Sequence, residues 1–342
     1  MVKNSDTAKR RNIYLLTNKG IGQYNRRSEE LKKKGIDLAE CADYLNEMNM
    51  ENMCKLSHEE FINLGCLMVT RIPILKNELP PNIPLVHHKI DGVLYIKQEV
   101  RNRLMMKATE SDIREWHSRA ADVCIDYDKP LEEKVYHLTR SGRIREASRL
   151  VKSERYRIID TAEEELTELV CEIAKTTEDA DMLMIATRVL IENGNLDTAM
   201  DLATKIYFED NKLGGSLISE ILLKKDRKIE ALEMAIDSYD GGHMTGLVLG
   251  MCLLENGHPE VAKKCLKHAR ESMVDSKCLF LMDTLLRYEA MAELDLDNPR
   301  GYSRLMTTAI SLSRSPRRKA DMVALSEHIG SEHGVLLEGV EV

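Results

Sequence analysis

The sequence predicts a mostly α protein in which a helix-and-hairpin module precedes an array of helical repeats. Three observations predict it. Aromatic residues make up only 4% of the chain and there are 18 Met, so the 43% hydrophobic fraction is a core of Leu, Ile, Met and Ala, which suit helix packing. A turn residue followed five positions later by alanine recurs along the second half. One stretch, Val86 to Ile96, instead carries the strongest short hairpin signal, Asp91-Gly92 between two β-prone runs. At 342 residues the chain has room for two or three modules or one extended array.

Charge and cysteine usage narrow the class. The net charge of −8 excludes a chain that coats nucleic acid along its whole length. Residues 1–35 nevertheless hold ten Lys or Arg against three acids, a net +7, which leaves −15 for the remainder. The 8 cysteines form no CxxC, and Cys252, Cys265 and Cys278 are read on separate helices, so free buried thiols are expected rather than disulfides or zinc. Met1–Arg11 is polar and basic with no apolar run behind it, and no stretch nears the ~20 apolar residues of a membrane span. A cytoplasmic protein is expected, with no membrane, cofactor or metal.

Residues 1–36 begin with the β-prone run Ile13-Tyr14-Leu15-Leu16, followed by the Asn18-Lys19-Gly20 turn and a charged helix over 21–34. A strand, LTNKG and a helix resemble the closing half of a winged helix, so residues 1–36 are read as a partial winged-helix remnant with a basic helix. Lys9, Arg10 and Arg11 then fall on the wing and are the candidate phosphate contacts.

Residues 37–110 form the second module. Leu38, Cys41, Ala42 and Leu45 have helical spacing, and Ser57 with Glu60 makes a capping box for a helix that carries Phe61, Leu64, Leu67 and Met68. A proline-rich loop (Pro80, Pro81, Pro84), the hairpin around Asp91-Gly92 in a type I′ turn, and a helix from Gln98 follow. Helix, loop, hairpin, helix reads as a winged-helix-like module.

Residues 111–312 are read as repeats. The first helix places Ile113, Trp116, Ala120 and Val123 on one stripe and ends at Asp128-Lys129-Pro130. Leu131 to Arg140 and Arg143 to Lys152 pair around Ser141-Gly142, and Leu166, Leu169, Val170 and Ile173 form a further apolar face. ENGNLDTAMDLA, KKDRKIEALEMA and ENGHPEVAKKCL then place Gly194, Asp226 and Gly257 five residues before Ala199, Ala231 and Ala262; Gly142 and Ala147 share the spacing. The alanine is needed where two helices cross too closely for a larger side chain. The three alanines are 32 and 31 residues apart, and a period near 34 with glycine at the turn and alanine in the second helix is a tetratricopeptide-type signature, which implies an α-solenoid. A last pair is expected over Cys278–Leu294 and Tyr302–Leu312, and from Ser315-Pro316 residues 313–342 form a capping helix and a poorly ordered tail.

No catalytic pattern emerges. A phosphate-cradling GxxxxGK[ST] is absent, and Gly20-Ile21-Gly22 is a bare GxG. His87 and His88 alternate on a strand and face opposite ways, His117 reads as a packed histidine, and Glu163-Glu164-Glu165 suits a helix N-terminus. The array itself offers the other candidate site. With turns at Gly194, Asp226 and Gly257, the first-helix residues facing its groove are Arg188, Glu192, Glu220, Lys224, Met251 and Glu255, able to hold a peptide.

LSHEEFINLGCLMVTRIPI, VHHKIDGVLYI, EVRNRLMM, WHSRAAD and KVYHLTRSGRIREASRLV together resemble the region after the ATPase core in signal-transduction ATPases with numerous domains, the maltose-regulator-like class. The resemblance implies a winged-helix segment feeding tetratricopeptide-like repeats. The Walker motifs expected between residues 35 and 50 are absent, as is the leading helix-turn-helix, so ATP hydrolysis is not carried over. The expected function is a non-enzymatic adaptor or regulator that binds a protein partner. The alternatives are a DNA-associated transcriptional regulator using the basic wing and a degenerate fragment of that ATPase class.

Overall fold

The computed structural model describes residues 2–5, 13–16, 56–80, 86–88, 92–96 and 98–333. The chain divides into two compact units, 1–127 and 128–342.

The first unit opens with β1 (Val2–Ser5) paired antiparallel to β2 (Ile13–Leu16). The helices expected over 21–34 and 37–54 lie outside the described residues, as do Lys9, Arg10 and Arg11. Helix α1 (His58–Val69) starts at the expected capping box: the Ser57 amide donates to Glu60 Oε2 at 2.8 Å, and the Glu60 amide donates to Ser57 Oγ at 3.2 Å. Then come β3 (Val86–His88), β4 (Leu94–Ile96), α2 (Gln98–Lys107) and α3 (Glu110–Asp126). A second capping box, Thr109 with Asp112, starts α3.

The hairpin pairs Val86 with Ile96, His87 with Tyr95 and His88 with Leu94, and the type I′ turn expected at Asp91-Gly92 falls on Asp91, outside the described residues. Gly92, at φ +79°, and the bridge of Val93 to Leu75 mark where the hairpin's second arm begins.

α3 was expected to head the repeats but completes the first unit. Its Trp116 is fully buried with Ile62, Leu64 and Met68 of α1 and Val100 and Leu104 of α2. Gly65 makes this packing possible, because a Cβ there would lie 2.2 Å from the Trp116 ring. Phe61 meets the same indole edge-on, with centroids 5.3 Å apart. The stripe read from sequence is thus a core stripe, but its partner is α1.

The second unit is wholly helical among the described residues: α4 (Leu131–Arg140), α5 (Ile144–Ser153), α6 (Arg155–Thr161), α7 (Glu164–Thr177), α8 (Ala180–Glu192), α9 (Leu196–Glu209), α10 (Asn211–Lys224), α11 (Lys228–Ser238), α12 (His243–Glu255), α13 (Pro259–Asp275), α14 (Met282–Asp295), α15 (Pro299–Leu312) and α16 (Pro316–His333). One turn recurs. Gly142, Gly194 and Gly257 hold φ of +81°, +75° and +78°, and Asp226 and Asp297 enter the same left-handed region at +59° and +58°. After each, an amide reaches five residues back: Arg143 to Leu138, Asn195 to Leu190, Arg227 to Leu222, His258 to Leu253 and Asn298 to Glu293, all at 2.9 to 3.0 Å. This is a Schellman closure, which satisfies the carbonyls at the end of the first helix and turns the chain into the second. The alanines five positions on, Ala147, Ala199, Ala231 and Ala262, are all fully buried. The chain is a mostly α protein whose second unit is an α-solenoid of the tetratricopeptide kind.

Two units of the array escaped the sequence pattern. Between the first pair and α8, the short α6 ends at Ala162 (φ +44°), and Thr167, five residues on, is buried. In the last pair Tyr302 replaces the alanine; it is buried and donates to Ser326 Oγ of α16 at 3.3 Å. The last pair also starts later than expected. Lys277 and Leu281 take φ of +55° and +61°, which no helix tolerates, so residues 276–281 form a loop and Cys278 lies in it rather than on a helix. Pro316 at the first position of α16 and Ser315, whose Oγ accepts from the Arg318 amide at 3.3 Å, start the capping helix. Its Met322 and Ile329 bury against Tyr302, Leu305, Met306 and Ala309.

Candidate functional site on the inner face of the array

The first helices of successive pairs (α6, α8, α10, α12 and α14) share one face. A cavity of about 390 Å³ has its walls on α6, α8, α10 and α12, the end of α5 and the 276–281 loop, with Tyr156, Ile159, Met184, Ile185, Met244 and Phe280 as its apolar lining. Tyr156 and Phe280 meet over it, ring centroids 4.8 Å apart, although α6 and the loop are separated by four pairs' worth of chain. Lys152 stands at its rim, held by Asp179 at 2.6 Å and Asp181 at 3.3 Å. The hydrogen bond that Lys152 donates to Asp179 raises its pKa above the ordinary lysine value.

Along the same face runs a ladder of charges. Arg188 of α8 and Glu220 of α10 are hydrogen-bonded to each other and both buried, so they tie neighbouring pairs together. Glu192, one helical turn after Arg188, is part-buried; burial pushes its carboxyl above the ordinary range, against the pull of Arg318. Lys224 is exposed beside it. Glu255 is exposed and pairs with Lys228 at 3.1 Å. Met251 is enclosed in the apolar cluster shared with α14, α15 and α16. Of the six residues read from the repeat register, Arg188, Glu192, Glu220 and Lys224 are thus electrostatic neighbours, while only Lys224 and Glu255 present charge to solvent.

The residues that sequence reasoning missed close the face. Arg318, in the first turn of α16, bonds Asp160 of α6, donates from Nε to Asp283 Oδ2 of α14 at 3.1 Å, and lies 3.5 Å from Glu192 Oε1. Burial opposes its charge, but Asp283, Glu192 and Asp160 outweigh that, and its pKa is raised. Arg317 donates to the main-chain carbonyl of Glu192 at 2.6 Å. Asp283 also accepts from Ser313 Oγ at 2.6 Å. A straight stack of helix pairs would hold α6 and α16 far apart, so this contact shows that the array curls until α16 reaches α6. The one sequence signal was Ser315-Pro316, a helix start just ahead of the arginine pair.

Among the described residues no three His, Cys, Asp or Glu are placed to hold a metal. Cys66 and Cys252 have thiols pushed up to about 12 by burial, the opposite of a reactive thiolate. No disulfide joins the described cysteines. His117 is buried, and the side chains of His87 and His88 lie outside the described residues. No described helix is long and apolar enough to cross a membrane.

No family model matches the chain, and no curated protein does. It is similar to solved structures. One is a signal-transduction ATPase with numerous domains that carries a tetratricopeptide repeat sensor, from Pyrococcus horikoshii: 18% identical, covering 82% of this chain and 54% of that one, with a TM-score of 0.38. The chain therefore spans about half the length of that protein, which is of the class that Leu56 to Leu150 resembles. Another is yeast Tom70, 11% identical over 93% of this chain and 80% of that one, with a TM-score of 0.32. The solenoid assignment stands on the recurrent turns and buried alanines of the chain itself.

Proposed function

We propose that this chain is a non-enzymatic adaptor or regulatory protein whose helical array binds a protein partner along its inner face. The observation that carries this reading is the charge ladder at the ends of consecutive first helices, from Glu192 through Lys224 to Glu255. Repeat arrays offer extended surfaces of this kind, and charge in register along them selects a partner and its orientation. Lys224 and Glu255 are the residues to test, since both are exposed and neither supports the core. Crosslinking and mass spectrometry on the full chain in its native cell extract should identify a partner, and Lys224→Glu with Glu255→Lys should abolish its co-purification while leaving the melting temperature unchanged. Retention of every partner by the double variant, or nucleotide turnover by the purified chain, would remove this reading.

The pairing of β1 with β2 favours a second reading, because Lys9, Arg10 and Arg11 lie in the sequence joining those strands, as in a wing. A DNA-associated role predicts gel-shift binding that falls steeply with salt and disappears when the three are changed to Glu. Binding untouched by the changes would discard the wing.

A further inference from the structure

The capping helix does more than cover the last pair. Met322 and Ile329 already bury its apolar side against α15, which is all a cap requires. Its first turn reaches elsewhere, to α6, α8 and α14. There the Arg318 guanidinium meets the carboxylates of Asp160, Glu192 and Asp283, and Arg317 takes the last main-chain carbonyl of α8. The three acids and the C-terminus of α8 are matched here by Arg318 and Arg317, with Arg188 and Lys224 also near Glu192, so the two arginines of α16 are held by charge-assisted bonds to opposite charge. Emptied, the same three carboxylates would repel one another. Such a seat is built for a guanidinium, and the one now in it arrives from the same chain, 158 residues from Asp160. Glu192 belongs both to this seat and to the ladder assigned to partner binding.

We propose that α16 is an autoinhibitory strap: its Arg317–Arg318 pair fills, in cis, a carboxylate seat on the inner face that receives an arginine-bearing segment of the protein partner. This rests on the reading of the array as a protein-binding surface. A partner must displace the strap, so its apparent affinity is the intrinsic one multiplied down by the fraction of chains whose seat is open. The serines on either side of Arg314 fix the strap's approach, Ser313 through Asp283 and Ser315 by capping α16.

The test uses the full chain and, as probe, a fluorescein-labelled synthetic peptide of residues 313–323, SRSPRRKADMV. Fluorescence anisotropy is expected to show the Arg317→Ala, Arg318→Ala double variant binding the peptide at least about ten-fold more tightly than the wild type, whose seat is filled. A peptide with both arginines replaced by Ala should bind neither protein, and adding Asp160→Asn and Asp283→Asn to the double variant should abolish binding. Hydrogen exchange on the unlabelled proteins should show the amides of 316–322 opening faster in the double variant while α12 to α14 keep their protection. Equal peptide affinity for wild type and double variant would overturn the proposal, as would unchanged protection of 316–322. If the double variant does not fold, Asp160→Asn alone, which leaves Arg318 two partners, must still speed exchange of 316–322; no change there also overturns it. The readings separate cleanly. A partner whose binding depends on Lys224 and Glu255 but not on the arginine pair leaves the adaptor standing and removes the strap. Retention of every partner by the Lys224→Glu, Glu255→Lys variant removes the adaptor reading, and the strap, which rests on it, falls with it.

Discussion

Two ion-pair systems hold the array together, and they act over different ranges. Arg188 and Glu220 lie 32 residues apart, at matching places on consecutive first helices. Arg318 and Asp160 lie 158 residues apart and join the last helix to an early one. The first tie depends only on the geometry of one neighbouring pair, so it forms whatever the curvature of the whole. The second forms only if every intervening pair contributes its rotation, so it senses the sum of them. Local ties set the stability of a repeat array; a closing tie sets its shape.

The largest expected effect falls on the local tie. Arg188 and Glu220 have side chains only 4% and 9% exposed, so Arg188→Ala leaves a buried carboxylate without its partner and should cost about 3–5 kcal/mol in urea unfolding. Replacing both residues by Met should recover most of that loss, because a well-packed apolar pair avoids the desolvation of two charges. If Arg188→Ala cost under about 1 kcal/mol, the pair would be behaving as a solvated surface pair and the contrast would fail.

The closing tie is expected to cost less and to show itself differently. Arg318→Ala removes charge-assisted bonds from a side chain 12% exposed, which should lower stability by about 1.5–3 kcal/mol. Small-angle scattering should also show a larger radius of gyration, which Arg188→Ala should not. Were both variants to expand the molecule alike, curvature would not hinge on Arg318.

How far each tie could be read from the sequence follows the same division. The turn at Gly194, Asp226 and Gly257 and the buried alanines after it are repeated at fixed spacing, so periodicity exposed them, and with them the register that put Arg188 and Glu220 on one face. Their burial against each other was not legible, because charged residues are ordinarily exposed and nothing local marks a pair that desolvates together. The last pair was blurred because Tyr302, reaching for Ser326 in the cap, displaced the expected alanine. Asp160 and Asp283 carried no signal at all. A contact that requires summed rotations has no period and no motif. The placement of α3 in the first unit was hidden for a related reason: the stripe around Trp116 was plain, but its complement is an absence, the missing Cβ of Gly65.

Glu192 lies between the two systems and should register both through its protonation. Burial raises its folded-state pKa above the ordinary 4.5, so the native chain binds the proton more tightly than the unfolded one. Its contribution is therefore fully present below pH 4.5 and is lost as the pH rises through the folded value. Glu192→Gln, which cannot titrate, should flatten the stability profile from pH 4.5 upward relative to wild type. A wild-type profile that instead rose more steeply than the variant's across this window would mean that Arg318 outweighs burial, and that the closing tie governs this residue.

The smallest effects belong to the turns that carry each local tie to the next. Asp226 and Asp297 sit in the left-handed region that glycine occupies without cost, at φ of +59° and +58°. Asp226→Gly relieves that conformation but loosens the unfolded chain, so the net gain should be small, about 0.5 kcal/mol. Gly194→Ala is the cleaner experiment. A Cβ at Gly194 would meet nothing within 4 Å, so any loss comes from the backbone at φ +75° alone. About 1 kcal/mol of destabilisation is expected, read as a lower urea midpoint at constant slope. A neutral Gly194→Ala would show that the turn can leave the left-handed region while the helices stay paired. The rotation between neighbours would then be set by side-chain packing at Ala199, and the closing contact at Arg318 would tolerate changes in every turn before it.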